Sequence, residues 1–340
     1  MKRIAIEEHF YTEGYVEYLK STKDLPRLEI TKDEKGNQVV KRGDITMDPD
    51  QFSKLVDMGE GRLRQMDEDG IDMQVLSLLN PGVAVFDAST GKTLARKTND
   101  ELASVVRKYP ERFAGFAALP VQEPIAATNE LERAVKELGL KGAMINSHVK
   151  GEFLDDHKYW VIFAKAEELG VPIYIHPIGP PPDMIKPYLA YPRLSGPMFG
   201  YAHEVGLHAV RLIFSGLFDK HPDLKIILGH LGEGLPFWLW RLDNRWQKEV
   251  VAPAPMANRK IRKTPSQYIR DNFYVTTSGM FWQPALSCAY EALGADRILF
   301  AADYPPESSK EAAEFIDAAP ICEADKEKIY HINAERLLAL

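Results

Sequence analysis

Two cysteines, Cys288 and Cys322, are all that 340 residues provide, and they do not form a CxxC pair. No disulfide framework can be built from them, and a reducing, cytoplasmic compartment is the expectation. Long apolar runs are also missing. Nothing approaches the ~18 consecutive apolar residues of a membrane span, and the opening MKRIAIEEHF has no apolar signal core, so no membrane partner is expected. Positive charge is in short supply: the formal net charge is −7, and the basic run KEKIYH reads as a solvated helix face. A nucleic-acid polyanion, which needs clustered Lys and Arg, is therefore excluded as a partner. The glycine fingerprint of a dinucleotide fold is absent after the first apolar run, and there is no internal repeat.

What the chain does have is regular alternation between short apolar runs and longer amphipathic ones. Apolar runs lie near residues 4, 73, 113, 142, 172, 225, 273 and 297. Helical spacing is read between them over 50–69, 92–108, 124–138, 157–169, 202–219, 235–248 and 283–293, with 308–317 and 323–338 closing the chain. Apolar runs flanked by helices are buried parallel strands. Eight such units predict a closed (β/α)8 TIM barrel, an α/β single domain spanning 1–340, rather than an open sheet.

Two segments exceed the minimal barrel and are read as insertions after strands 1 and 5. Residues 11–50 contain EITKDEKGNQVVKR, a β-hairpin turning at Lys35-Gly36-Asn37. Residues 177–200 begin PIGPPPD and form a long loop. Both follow strands, so both fall on the C-terminal face, where barrel active sites sit.

The ends of the apolar runs carry the chemistry. The first ends in Glu7-Glu8-His9, the fifth in His176, the sixth in His230 and the eighth in Asp303. Alternation puts Glu7 and His9 on one face and Glu8 on the other. A barrel brings these ends to one mouth. Carboxylates and imidazoles together suit Zn²⁺, Mn²⁺ or Fe²⁺, and a cation there neutralises acids that are costly to bury. Each residue alone also has a plainer reading: a strand-end histidine packs in a core, and an aspartate after a strand caps the next helix.

At these residues the sequence resembles the amidohydrolase superfamily. More narrowly it is similar to the aminocarboxymuconate-semialdehyde decarboxylase branch and, within it, to the γ-resorcylate, 2,3-dihydroxybenzoate and 5-carboxyvanillate decarboxylases. The resemblance runs over nearly the whole chain, through IAIEEHF, Asp67-Glu68-Asp69-Gly70-Ile71, LSLLNPGV, RKTNDELA, YPERFAGFAALP, LGLKGAMINSH, VPIYIHP, GLFDKHPDLKIILGHLGEGLPFWLWRLD, TTSG and GADRILFAADYP. INSH with LDD at 145–156 leans toward the 5-carboxyvanillate type.

The resemblance implies one divalent ion, Mn²⁺ or Zn²⁺, on Glu7, His9, His176 and Asp303. It implies His230, held by Glu233, beside that ion, Arg62 and Arg241 near the carboxylate of a small aromatic acid or a subunit contact, and Phe199 lining the substrate ring. It also implies a homodimer or homotetramer. The reaction implied is decarboxylation, with Asp303 protonating the ring carbon before CO2 leaves. A metal-dependent hydrolase or hydratase of a small acid or lactone is the alternative, weakened by Glu-x-His in place of His-x-His. A metal-stabilised scaffold is a third. Plainer readings stand beside these roles: Arg62 as a solvated helix residue, Arg241 paired with Asp243 or Glu233, Phe199 and Tyr201 as packing, Trp238, Trp240 and Trp246 as helix packing, and His148 as a strand terminator. The sequence departs from the family's pattern at His203, at Pro306 and in the longer 11–50 segment, all of which form pocket walls.

Overall fold

The computed structural model describes residues 1–23, 26–43, 45–248 and 261–340. Its strands in chain order are β1 (Ile4–Phe10), β2 (Leu28–Lys32), β3 (Gln38–Arg42), β4 (Ile45–Met47), β5 (Met73–Leu78), β6 (Phe113–Gly115), β7 (Ala117–Ala118), β8 (Ala143–Asn146), β9 (Ile173–His176), β10 (Ile226–Leu228), β11 (Phe273–Thr276) and β12 (Ile298–Leu299). All except β2–β4 belong to a parallel barrel. β6 and β7 are one barrel strand interrupted at Phe116, whose N–H donates to Leu76 O at 2.9 Å. The ring closes between the last and first strands, where Ile6 N donates to Phe300 O (3.1 Å), Asp303 N to Glu7 O (3.0 Å) and His9 N to Tyr304 O (2.7 Å).

Alternation along each strand sorts its side chains. Ile227, Tyr174 and Met144 point into the barrel, where they pack with Ile6, Val75 and Phe116. Their neighbours Ile226 and Leu228, Ile173 and Ile175, and Ala143 and Ile145 pack outward under the helices. Both strand faces are buried, which is why these runs are apolar throughout. Period 2 from Tyr174 also places His176 inside the mouth.

β1 reaches the same result by a different route. Ile4 and Ile6 face inward, so unbroken alternation would bring Glu8 inward too. The pairing of β1 with β5 shifts register between Ala5 and Glu8. That bulge resets the phase and turns Glu7 and His9 to the mouth. Glu8 is left outside the barrel, accepting from Ala302 N at 2.9 Å.

The inserted segment is an antiparallel sheet in the order β2-β3-β4. Its hairpin turns where the sequence predicts. Asp33 Oδ1 accepts from Lys35 N and Asn37 N, both at 2.8 Å, and Gly36 takes the left-handed conformation the turn needs (φ +82°). The third strand, β4, is not visible in the sequence pattern. The single helix expected over 50–69 is two, Pro49–Val56 and Glu60–Asp69. Asp57 Oδ1 accepts from Gly59 N (2.8 Å) and competes with the helical bonds there. The helix expected over 202–219 breaks likewise, at left-handed Gly216. Residues 177–200 contain three single-turn helices, Pro182–Met184, Lys186–Tyr188 and Pro192–Ser195. No described helix is long and apolar enough to cross a membrane.

Candidate active site

Glu7, His9, His176 and Asp303 each offer one ligand atom at the C-terminal mouth, and those atoms all lie within 4.8 Å of one another. His9 Nε2 is 3.0 Å from Asp303 Oδ1, and His176 Nε2 is 3.7 Å from Glu7 Oε1. The two imidazoles meet edge to face at 4.7 Å. Each ring is oriented through its other nitrogen. His176 Nδ1–H donates to Asn146 Oδ1 (3.1 Å), which leaves the Nε2 lone pair aimed at the cluster. His9 Nδ1 pairs with Ser77 Oγ (3.2 Å). Tyr174 OH and Thr276 Oγ1 both donate to Glu7 Oε2, the latter at 3.0 Å.

That arrangement leaves Glu7 Oε1 and His9 Nε2 buried with no hydrogen-bond partner among the described residues. Buried polar atoms are rarely left so. Two of them facing one point, beside a second carboxylate, is the arrangement expected where a cation belongs. The donor set, two imidazole nitrogens and two carboxylates, suits one divalent ion of the Mn²⁺ or Zn²⁺ kind.

Backbone strain is concentrated here. His230, Leu231 and Glu233 adopt φ of 51°, 54° and 55°, and Asp303 adopts 76°. Non-glycine residues take this region at a cost and cluster at functional sites. The strained turn puts His230 Nδ1 in position to donate to Glu233 Oε1 at 2.8 Å, with Nε2 facing Asp303 Oδ2 at 3.8 Å. A Cβ at Gly229 would sit 3.1 Å from Tyr174 OH and 3.3 Å from both Glu7 oxygens, so any larger residue there would press on the cluster.

Electrostatics separate the groups. Burial alone would push the His230 imidazolium down, but the Glu233 and Asp303 carboxylates outweigh it and hold it well above the usual histidine range. Burial pushes Glu7 up and, with His9 alongside, pushes His176 well below. Burial opposes ionisation of Asp303 too, yet the neighbouring His230 and His9 imidazoles keep its carboxyl below the usual range. A Glu233→Gln chain should therefore show the His230 imidazole titrating lower by about 1 pH unit or more, read by NMR. An unchanged titration would mean that Glu233 does not set the charge of His230.

The remaining expected site residues are placed differently. Arg62 is buried, and its Nε, Nη1 and Nη2 are spent on Asp57 O, Gln74 Oε1, His9 O (2.5 Å) and Lys54 O. It is neither solvated nor free to hold a ligand; the contact with the His9 carbonyl makes it a support for the first strand. Arg241 is exposed on the helix Leu235–Gln247 and takes neither expected partner. Asp243 accepts from Ser266 N and Oγ (2.9 and 2.6 Å), and Glu233 is held by His230. Phe199 is more than half exposed and stacks on His203 at 6.1 Å. Trp238 and Trp240 are exposed, which corrects their reading as helix packing, whereas Trp246 does pack, against Phe214. His148 ties the end of β8 to the loop after β9, donating through Nε2 to Gly179 O (2.9 Å), and accepts from Gly151 N of its own loop.

Sequence reasoning missed Ser77, Asn146, Tyr174 and Thr276, although Tyr174 sits two residues before His176 on the same face. It also missed a second buried polar chain. Leu154 N donates to His208 Nε2 (3.0 Å), so Nδ1–H donates to Ser147 Oγ (2.8 Å), whose hydroxyl donates to Glu204 Oε1 (2.6 Å). Burial, and Glu233 nearby, push the Glu204 carboxyl up to about 8. An acid raised from 4.5 to about 8 keeps its proton in the folded chain while the unfolded chain releases it. Stability is thus lost as pH rises through that window. Glu204→Gln should remove this loss: near pH 4 variant and parent should match, and toward pH 8 the variant should gain about 2–4 kcal/mol by denaturant melts. Parallel pH profiles would show that Glu204 does not hold its proton.

The chain matches the amidohydrolase family over residues 39–340. It is 42% identical over 352 aligned residues to the γ-resorcylate decarboxylase of Polaromonas sp. (strain JS666), covering 99% of this chain and 98% of that one. Among solved structures, the dihydroxybenzoic acid decarboxylase of Polaromonas sp. JS666, with bound manganese and the inhibitor 2-nitroresorcinol, is similar at 39% identity and TM-score 0.86, covering 100% of this chain and 97% of that one. The 5-carboxyvanillate decarboxylase of Sphingomonas paucimobilis is similar at 36% identity and TM-score 0.89, covering 100% and 99%.

Proposed function

We propose, from the premise that this chain belongs to the amidohydrolase family, that it is a metal-dependent carboxy-lyase that removes CO2 from an ortho-hydroxylated aromatic acid without oxidation. The observation that carries this reading is the cluster of Glu7, His9, His176 and Asp303 with two buried ligand atoms unpartnered, faced by the His230–Glu233 pair. Glu7, His9, His176 and Asp303 hold one divalent ion, Mn²⁺ or Zn²⁺ by their chemistry; manganese is the ion in the Polaromonas structure. When bound, that ion supplies an electrophilic anchor for the substrate carboxylate and its ortho hydroxyl.

The protein's own groups supply the proton. Direct loss of CO2 would leave an aryl anion, which is too high in energy, so the ring carbon is protonated first. Asp303 Oδ2 faces the mouth and His230 Nε2 stands 3.8 Å behind it. The His230 and His9 imidazoles favour the ionised form of Asp303, and the Glu233 and Asp303 carboxylates favour the protonated form of His230. The proton therefore starts on the imidazolium, passes to Asp303 and goes from Asp303 to the ring carbon bearing the carboxylate. C–C cleavage then restores aromaticity. Glu233 keeps His230 charged and oriented for this step.

The exposed aromatic face of Phe237, Trp238 and Trp240, beside Arg241, supports a homodimer or homotetramer. The two free cysteines, Cys288 and Cys322, accord with a cytoplasmic location. The reading is tested by assaying CO2 release over a panel of hydroxybenzoates, with metal content measured on the same preparation. Release from an ortho-hydroxylated acid is the expected result. Opening of a lactone with no CO2 from any acid would overturn it in favour of a hydrolase.

A further inference from the structure

β8 ends at Asn146, the residue that orients one of the four clustered side chains. Asn146 Oδ1 accepts from His176 Nδ1–H at 3.1 Å, across a β8–β9 pair in which the two residues are in register. The aim of Asn146 is therefore set by the backbone at the end of β8. That backbone is strained. Ser147, the next residue, adopts φ 39°, and its N–H donates back to Ile145 O at 2.9 Å, closing a tight turn around Asn146. Serine takes this left-handed region at a cost, and the surrounding structure must hold it there.

The hold comes through the Ser147 side chain. Its hydroxyl donates to Glu204 Oε1 at 2.6 Å and accepts from His208 Nδ1–H at 2.8 Å. His208 is fixed in turn by Leu154 N–H, which donates to its Nε2 at 3.0 Å. Glu204 and His208 lie four residues apart on the helix Gly200–Ser215, so both reach the same hydroxyl. All three side chains are fully buried, and Glu204 Oε2 has no partner among the described residues, which leaves Ser147 as the anchor of that carboxyl. Burial pushes Glu204 up to about 8 and His208 down to about 3, so both are neutral near pH 7. Stability does not account for this chain. Glu204 and His208 continue the buried stripe of Leu212 at four-residue spacing, where apolar side chains would pack without losing hydration. A buried polar chain instead fixes one geometry, and the geometry fixed here is the turn behind Asn146.

We propose that Ser147, clamped by Glu204 and His208, is a positioning residue for His176: the clamp holds the left-handed turn, the turn aims Asn146, and Asn146 fixes the His176 ring with Nε2 toward the cluster. This rests on the reading of Glu7, His9, His176 and Asp303 as a metal site. Ser147, Glu204 and His208 act through Asn146 and are not themselves ligands. Without the Ser147 hydroxyl the turn relaxes, His176 Nδ1–H loses its acceptor, and the ring is free to turn Nε2 away from the cation.

The test uses the manganese-loaded full-length chain as wild type, Ser147→Ala, Glu204→Leu, Glu204→Gln and Leu212→Ala. Leu212→Ala opens a cavity on the same stripe and controls for lost packing. Manganese retained against increasing chelator, read by electron paramagnetic resonance, gives the dissociation constant. Ser147→Ala and Glu204→Leu should bind Mn²⁺ about 10- to 100-fold more weakly, the usual cost of losing a group that orients a metal ligand. Glu204→Gln, whose amide oxygen still accepts from Ser147, should bind as the wild type does, and so should Leu212→Ala. The NMR signal of the His176 Nδ1–H proton gives the independent arm, in zinc-loaded and in metal-free protein. It should be sharp in the wild type and in Glu204→Gln, and broadened by solvent exchange in Ser147→Ala. Wild-type affinity in Ser147→Ala, or a loss no greater than that in Leu212→Ala, overturns the assignment. A wild-type chain that retains no Mn²⁺ removes the metal reading, and the ring proton then decides: a signal altered by Ser147→Ala sustains the clamp, and an unaltered one overturns it.

Discussion

An Asp303→Asn chain should still take up its metal and its aromatic acid, yet release CO2 about 10³-fold more slowly than the parent, a barrier increase of about 4 kcal/mol. The substitution suits its site. Asp303 sits at φ 76°, a conformation that asparagine tolerates better than most residues, so the backbone need not move. The amide oxygen can replace Oδ1 beside His9 Nε2, 3.0 Å away. What is lost is a group that can accept a proton from His230 Nε2 and pass it on. The check is CO2 release together with hydrogen–deuterium exchange at the product's ring carbon in D2O. Both should fall together, because protonation and its reversal share one donor. Activity within tenfold of the parent would remove Asp303 from proton transfer. Retained exchange with lost CO2 release would move its role to the cleavage step.

The parts of this site that were readable in advance are those fixed by strand periodicity and barrel topology. Eight apolar runs required a closed ring, and a closed ring required that Glu7, His9, His176 and Asp303 converge. The hairpin at Lys35-Gly36-Asn37 was equally legible, because glycine and asparagine at a tight turn are local signals. What stayed hidden depends on phase shifts and long-range pairing. The bulge between Ala5 and Glu8 has no sequence signature, although it decides which glutamate faces the metal. Arg62 and Arg42 are instructive together. Arg62 falls on a helix with polar neighbours and reads as a ligand-binding or solvated group, yet it is buried behind β1 on the His9 carbonyl. Arg42 sits in the hairpin with no local signal that marks it, yet the fold turns it inward onto Asn80. Helix breaks at Asp57 and Gly216 were missed for a related reason: an Asx turn or a left-handed glycine overrides helical spacing that otherwise continues through it.

Removing the metal should abolish CO2 release entirely and also make the protein less stable, and the second effect follows from charge alone. Glu7 is fully buried and Asp303 partly so, with their ligand atoms in one cluster. Hydrogen bonds from Tyr174 and Thr276 serve only one Glu7 oxygen, Oε2; Oε1 has no partner among the described residues. Without a cation, burial pushes Glu7 up, so the stripped protein takes up a proton there or keeps an uncompensated acid in its core. A divalent ion at 100 times its dissociation constant adds about 2.7 kcal/mol to the folded state, which should appear as several degrees of melting temperature lost on chelation and regained with Mn²⁺. Because the ligands bind the ion in their deprotonated forms, that gain should shrink as pH falls. Calorimetry with elemental analysis checks both points, with one ion per chain expected. A preparation free of metal that melts unchanged and decarboxylates at the full rate would mean that the four converging side chains hold no ion and act only through one another.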